Sequence, residues 1–173
     1  MTAGGLITGL DEGVIIMEFT DNGVLKFMKQ YFRDYSDYAQ NPGTVQRMYD
    51  YFTPDFEFTP FIAGNATISG RENFLRLMSS HPSSHESLTP DDIMIDIKRS
   101  VVVVLLRAEL ADSTTGEVLV AKSYHVLYQL VKDGSGGIRI NKVLFFEEIL
   151  PPGTLDMGDV FKKDPGIAGL FSG

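Results

Sequence analysis

The stretch from Val101 to Ile149 constrains this 173-residue chain more than any other. Three long runs rich in β-branched and aromatic residues follow one another: Arg99 to Ala111, Glu117 to Lys132 and Ile138 to Ile149. Two turn signals separate them, Ser113-Thr-Thr-Gly and Asp133-Gly-Ser-Gly-Gly, where glycine supplies the positive φ of a tight hairpin. That order predicts an antiparallel meander. Val101 to Leu106 is apolar without alternation, so both faces of its strand are expected to be covered. Helices written earlier in the chain can cover one face. The other, with Tyr124 to Val131, makes an apolar patch large enough to mark an interface, and a homodimer through the sheet is expected.

Upstream of the meander the period changes. Val24, Leu25, Met28, Tyr31, Phe32, Tyr35 and Tyr38 recur at spacings of three and four, predicting an amphipathic helix from Asp21 with Thr20 or Asp21 as cap. It should end near Asn41-Pro42-Gly43, because proline disfavours helix at the residue before it. A shorter helix is expected from Thr44 to about Phe52, burying Val45, Met48, Tyr49 and Phe52, and broken by Thr53-Pro54-Asp55. Phe56 to Phe61 alternates as a strand, with Pro60 pushing it to an edge or an end. Ser69-Gly-Arg-Glu72 has the capping-box pattern, opening a third helix with Phe74, Leu75, Leu77 and Met78 inward. Ser84 to Thr89 starts the next strand, and Ile93, Ile95 and Ile97 alternate after a turn at Pro90-Asp91.

Helices first and a large antiparallel sheet afterwards make an α+β domain with its helices on one face. We expect a glycine-rich N-terminal arm over residues 1–20, one domain over 21–150, and a tail over 151–173 with apolar spots at Leu155, Phe161 and Phe171. A formal net charge of −8 argues against nucleic acid and against an anionic membrane surface. No run approaches the roughly 20 apolar residues of a membrane span. With no cysteine there is neither a disulfide framework nor a thiolate nucleophile. The start, Met-Thr-Ala-Gly-Gly-Leu-Ile-Thr, lacks the basic and apolar regions of a signal peptide, so a cytoplasmic protein is expected. Asp133-Gly-Ser-Gly-Gly lacks the helix and lysine of a phosphate loop. His81 and His85 have metal-like spacing, but Pro82 breaks a helix there and no cysteine or further histidine lies nearby. No metal and no cofactor are expected.

The aromatic first helix (Gln30-Tyr-Phe-Arg-Asp-Tyr-Ser-Asp-Tyr) is followed by a short one running into Phe52-Thr-Pro-Asp-Phe-Glu-Phe. Then come the turn and helix Ile68-Ser-Gly-Arg-Glu-Asn-Phe and the three long strands. Over residues 22–150 this order resembles the nuclear-transport-factor-two-like superfamily, which includes ketosteroid isomerase, SnoaL-type polyketide cyclases and scytalone dehydratase. The resemblance implies a cone-shaped roll, with three N-terminal helices packed on a strongly curved antiparallel sheet. Leu155-Asp-Met-Gly-Asp-Val-Phe-Lys-Lys-Asp is similar to the dehydratase's C-terminal segment, which folds over the pocket mouth and would make the Phe161 region a lid.

A cofactor-independent lyase or isomerase of this kind needs a base for the α-proton and a donor for the developing enolate oxygen. Burial in an apolar pocket tunes His, Tyr, Asp or Glu for both tasks. The resemblance places histidines near His85, after the third helix, and His125, in the penultimate strand. Counted back from the Asp133-Gly134 turn, the strand position falls nearer Lys122 or Tyr124. Pro60 stands where ketosteroid isomerase carries its aspartate base and where the dehydratase has its second pocket tyrosine. The expected catalytic set is His85 and His125 as acid and base with Tyr35 as oxygen-polarising phenol. Tyr31, Tyr38, Tyr49, Phe58, Met78, Glu147 and Phe161 are expected around an apolar carbonyl-bearing or phenolic ligand. Glu147 matches a position where the resemblance implies an acidic pocket residue. His125 shares a strand face with Ser123, Leu127 and Gln129, whereas Lys122, Tyr124, Val126 and Tyr128 share the opposite one. The sequence leaves open which face is concave. Twelve phenylalanines and seven methionines can also fill the cone, and a non-catalytic dimeric ligand-binding or structural module is the alternative.

Overall fold

The computed structural model describes residues 19–60, 66–80 and 83–146. Helix α1 spans Asp21–Tyr38, and a 3₁₀ helix follows at Val45–Tyr51. Strand β1 is Phe52–Pro60, β2 Ile68–Ser69 and helix α2 Arg71–Met78. The long strands are β3 (Ser84–Asp96), β4 (Val101–Asp112), β5 (Val118–Lys132) and β6 (Ile138–Phe146). They form one curved, unclosed six-stranded sheet in the order β2-β1-β6-β5-β4-β3, with the helices packed on it. The expected α+β roll is the architecture observed.

Helix α1 forms as its spacing predicts. Thr20 is the N-cap and its hydroxyl accepts from the Gly23 N–H, while Val24, Phe27, Met28, Tyr31, Phe32 and Tyr35 make the buried stripe. Phe27 takes a place in the core that the spacing gave to Leu25, which is only half-buried. The second helix is a tight 3₁₀ turn burying Val45 and Met48. Arg71 ties α2 to it: the guanidinium lies 3.4 Å from the centroid of the Tyr49 ring and donates to the Phe52 carbonyl at 3.2 Å. The capping box does not form, because Ser69 is drawn into β2 opposite Glu57 and Gly70 becomes the N-cap. Gly70 sits at φ 85°, a conformation that suits glycine, and its N–H donates to the Phe56 carbonyl at 2.7 Å.

Three departures in the sheet decide which side chains meet the helices. The β1–β6 pair is parallel, whereas the other strand pairs are antiparallel. The break expected at Thr53-Pro54-Asp55 is a register shift inside β1, where Phe52 pairs with Ile140 and Glu57 already with Lys142. The turn expected at Pro90-Asp91 is likewise a bulge inside β3. Pro90 pairs with Leu106 and Asp92 with Leu105, so Asp91 is the extra residue. One inserted residue flips the parity of the remainder of the strand. Before it Ser84, Glu86 and Leu88 face the helices; after it Ile93 and Ile95 do, packing against the core.

The parity of β4 and β5 is unambiguous in space. Val102, Val104, Leu106, Ala108 and Leu110 are buried toward the helices, opposite Tyr128, Val126, Tyr124, Lys122 and Val120. The outer face carries a straight cross-strand row, Met94, Val103, Leu127 and Leu144, beside a second row of Leu105, His125 and Phe146. Met94 and Phe146 there are 49% and 46% exposed.

The inner face divides into two halves. Beneath α2, Phe52, Phe56, Phe58 and Phe74 touch one another at centroid distances of 4.6 to 5.2 Å. Beneath α1, Tyr31 meets Phe32, Tyr35, Tyr51, Phe52 and Tyr128, mostly edge to face.

Candidate active site

Strand β3 ends the sheet, so one side of its backbone has no strand neighbour. The Ser83 carbonyl takes the Ser113 N–H at the end of the β3–β4 ladder remote from its turn, which points the main chain of residues 84, 86 and 88 away from β4. At Glu86 that open edge is met by Gln40. Its Oε1 accepts the Glu86 N–H at 2.6 Å, and its Nε2 donates to the Glu86 carbonyl. The Glu86 side chain then projects inward, and Tyr35 of α1 donates its hydroxyl to Oε2.

Two further phenols lie beside Tyr35: the Tyr31 ring is 6.1 Å from that of Tyr35 and 5.9 Å from that of Tyr128. Tyr31 and Tyr128 are 2% and 1% exposed. Burial holds both phenols well above the ordinary tyrosine range; Glu86 pushes Tyr31 up further, and Tyr31 followed by Glu86 does the same for Tyr128. For Tyr35 burial is again the largest cause, followed by the charge of Glu86 and, less strongly, the neighbouring phenols and the hydrogen bond itself. The three phenols therefore hold their protons tightly, and Tyr35 brings one of them onto the half-buried Glu86 side chain. Such a group can take a proton from a carbon acid, since it lies in an environment poor in water yet keeps one lone-pair direction free of Tyr35. Two more polar side chains share this inner face. Lys122, 4% exposed, lies opposite Ala108, which in turn faces Leu88; Tyr124, 2% exposed, lies opposite Leu106. Both have interaction partners of their own.

The residues expected from sequence are distributed unevenly around this centre. Tyr35 and Tyr31 belong to it. His85 and His125 do not: each is exposed, on the outer face, opposite Ala111 and Leu105 respectively. A side chain on that parity cannot reach the space beneath the helices, and the two histidines are not brought together there. Tyr38 is half-buried with the Arg47 guanidinium 4.5 Å from its ring centroid, and Tyr49 stacks under Arg71. Phe58 faces inward but packs on Phe74 and Phe145 at 4.7 and 5.6 Å, and Met78 is core at 2% exposure. Glu147 and Phe161 lie outside the described residues, as do His81, residues 1–18 of the N-terminal arm and the tail.

Asp34 makes a second phenol–carboxylate pair, accepting from Tyr51 and, at 2.7 Å, from the Gln30 amide. Tyr51 is raised above its usual range, by burial first and then by Asp34. An open groove of ≈ 590 Å³ runs between α1 and β3, lined among others by Lys29, Phe32, Arg33, Leu88 and Pro90, and stops short of Glu86. Among the described residues no group of three or more His, Cys, Asp or Glu can hold a metal ion, and no helix is long and apolar enough to cross a membrane.

Sequence reasoning missed Glu86, Gln40 and Tyr128, while Lys122 and Tyr124, on which the strand position of the resemblance falls, do face inward. For Glu86 a signal existed. Leu88 is the apolar residue of Ser84 to Thr89, so an inward Leu88 carries Ser84 and Glu86 with it and sends His85 outward.

No family model matches the sequence, and no curated protein does. Solved structures do match in shape. SalBIII, described as an epoxide hydrolase/cyclase-like enzyme in pyran ring formation in the polyether salinomycin, superposes with a TM-score of 0.56 at 15% identity, over 76% of this chain and 95% of its own. ActVI-ORFA from Streptomyces coelicolor gives 0.55 at 12% identity, over 72% and 94%. A protein with a cystatin-like fold from Caulobacter vibrioides gives 0.52 at 13% identity, over 75% and 88%. At such identities the likeness establishes the fold alone.

Proposed function

Starting from the nuclear-transport-factor-two-like, cystatin-like fold that this chain has, we propose that it is a small cofactor-independent lyase or isomerase, dehydratase- or cyclase-like. It acts by acid/base chemistry on an apolar carbonyl-bearing or phenolic substrate in the cone. The Tyr35–Glu86 hydrogen bond, set beside the buried rings of Tyr31 and Tyr128, carries this reading. Glu86 takes the proton from the carbon next to the carbonyl, and the electron pair of that C–H bond moves into the enolate. Tyr35 fixes the carboxylate, and Lys122 or Tyr124 supplies the donor for the enolate oxygen. The electron pair then expels a β-hydroxyl, which leaves as water by taking the proton from Glu86; where the substrate has a β,γ double bond instead, Glu86 returns the proton to the γ-carbon and the double bond moves into conjugation. The description of SalBIII as cyclase-like is in keeping with this class of reaction.

The test does not require the natural substrate. Apolar ketones and β-hydroxyketones are incubated in D₂O, and uptake of deuterium at the α-carbon is followed by NMR. The wild-type chain should accelerate exchange on some member of the panel, and Glu86→Gln should cut it about 10²–10⁴-fold, the usual worth of a positioned general base. His85 and His125 are the rival assignment of the same chemistry. Exchange that survives Glu86→Gln but is lost in His85→Asn with His125→Asn would transfer the role to them.

A second reading has its own observation. Four phenylalanines close the half of the cone under α2, as a ligand-binding or structural module would require. Apolar ligands that raise the melting temperature without any exchange would favour it.

We also propose that two copies pair through the outer face, on the row Met94, Val103, Leu127 and Leu144. Light scattering should give twice the chain mass, and Leu127→Asp should halve it. A wild-type monomer would exclude this pairing.

A further inference from the structure

We propose that Gln40 is the positioning residue for Glu86, and that its side-chain amide stands in for the strand missing beyond β3. The inference rests on the assignment of Glu86 as the base. A neighbouring strand would offer residue 86 one acceptor and one donor. Gln40 offers the same two from a single amide, 2.6 Å from the Glu86 nitrogen on the acceptor side. The same helix end also supplies Tyr35, so Glu86 is held twice from one place, by its carboxylate and by its main chain.

That place is itself fixed. The Ala39 N–H closes the last turn of α1 on the Tyr35 carbonyl at 3.0 Å, and Ala39 is fully buried. Beyond Gln40, Thr44 and Val45 donate to the Asn41 carbonyl at 2.9 and 2.8 Å, and the Thr44 hydroxyl donates to the Tyr38 carbonyl at 3.1 Å. Tyr35 and Gln40 are thus two jaws of one rigid clamp. Edge strands twist and fray where nothing pairs with them, and a small rotation at residue 86 would swing its carboxylate off the Tyr35 hydroxyl. A misplacement of about 1 Å is enough to cost a positioned group on the order of 10²-fold in rate.

An edge cap with no bearing on the site is the competing account, and tyrosine titration separates the two without any turnover. Gln40→Met keeps the volume and loses both hydrogen bonds; Gln40→Glu keeps the acceptor and loses the donor. Tyrosinate absorbance at 295 nm is followed in folded protein beside wild type and Glu86→Gln. Loosening the clamp should bring one further phenol into titration before unfolding in Gln40→Met, with Gln40→Glu between it and wild type. In the exchange assay kcat should fall at least tenfold in Gln40→Met with KM within about twofold. A melting temperature that drops while the titration and kcat stay within twofold of wild type would overturn the proposal. If no variant shows exchange but the titration still moves, the clamp stands and the catalytic assignment of Glu86 falls.

Discussion

Under α2 the space between helix and sheet is closed by phenylalanines; under α1 Phe27 and Phe32 share it with four rings that carry hydroxyls, Tyr31, Tyr35, Tyr51 and Tyr128. The halves share a border, since Tyr31 touches Phe52 at a centroid distance of 6.0 Å, and both use edge-to-face packing. They differ in what their rings demand. Phe52 and Phe56 are fully buried and need nothing more than contact. Tyr31, Tyr35 and Tyr128 are as deeply buried, but each brings a polar atom whose desolvation must be offset. The chain places Glu86 among them, held by Gln40, rather than replacing the phenols with phenylalanine. Stability alone does not call for that choice, because an all-phenylalanine half already exists next door.

The largest expected contrast comes from this difference. Phe56→Ala removes a fully buried ring from between Phe52 and Phe74, and should lower the unfolding free energy by about 3–5 kcal/mol in urea melts. Tyr35→Phe keeps the ring and loses only the bond to Glu86, a charge-assisted one worth about 1.5–3 kcal/mol, at the lower end because Glu86 is only half-buried. If Tyr35→Phe proved as costly as Phe56→Ala, the phenol cluster would be core in the same sense as the phenylalanine one.

Much of this arrangement was legible before any coordinates. The stripe from Val24 to Tyr35 placed α1 and its phenols, and the turns at Ser113 and Asp133 placed the meander, because local spacing and turn chemistry determine both. Parity was not legible in β5. Val120, Val126 and Leu130 lie on one face and Leu127 and Val131 on the other, so hydrophobicity named neither face as inner. The resemblance makes His125 a candidate while its strand face stays open, and one residue of phase puts it on the outer surface. The bulge at Asp91 and the parallel β1–β6 pair were hidden for a different reason. Both are settled between strands distant in sequence, by which register buries Ile93, Ile95 and Phe58, and no local signal reports that choice.

A smaller effect, readable in the phenol half only, sharpens the comparison further. Tyr31, Tyr35, Tyr51 and Tyr128 all have their pKa values raised by burial, with Glu86 adding to three of them and Asp34 to Tyr51. A phenol that holds its proton more tightly folded than unfolded contributes stability that is fully present below the unfolded value, about pH 10. That contribution drains away as pH rises through the higher folded values. Titration at 295 nm should therefore leave Tyr31, Tyr35, Tyr51 and Tyr128 un-ionised in folded protein near pH 10 to 11, these four appearing in step with the loss of far-ultraviolet circular dichroism. Glu86→Gln should bring Tyr31, Tyr35 and Tyr128 to lower pH and leave Tyr51 with Asp34, whereas Phe56→Ala should move the unfolding step and not the titration that precedes it. Seven tyrosines titrating together near pH 10 in folded wild-type protein would mean that the phenols are wet and that the halves of the cone do not differ in this way.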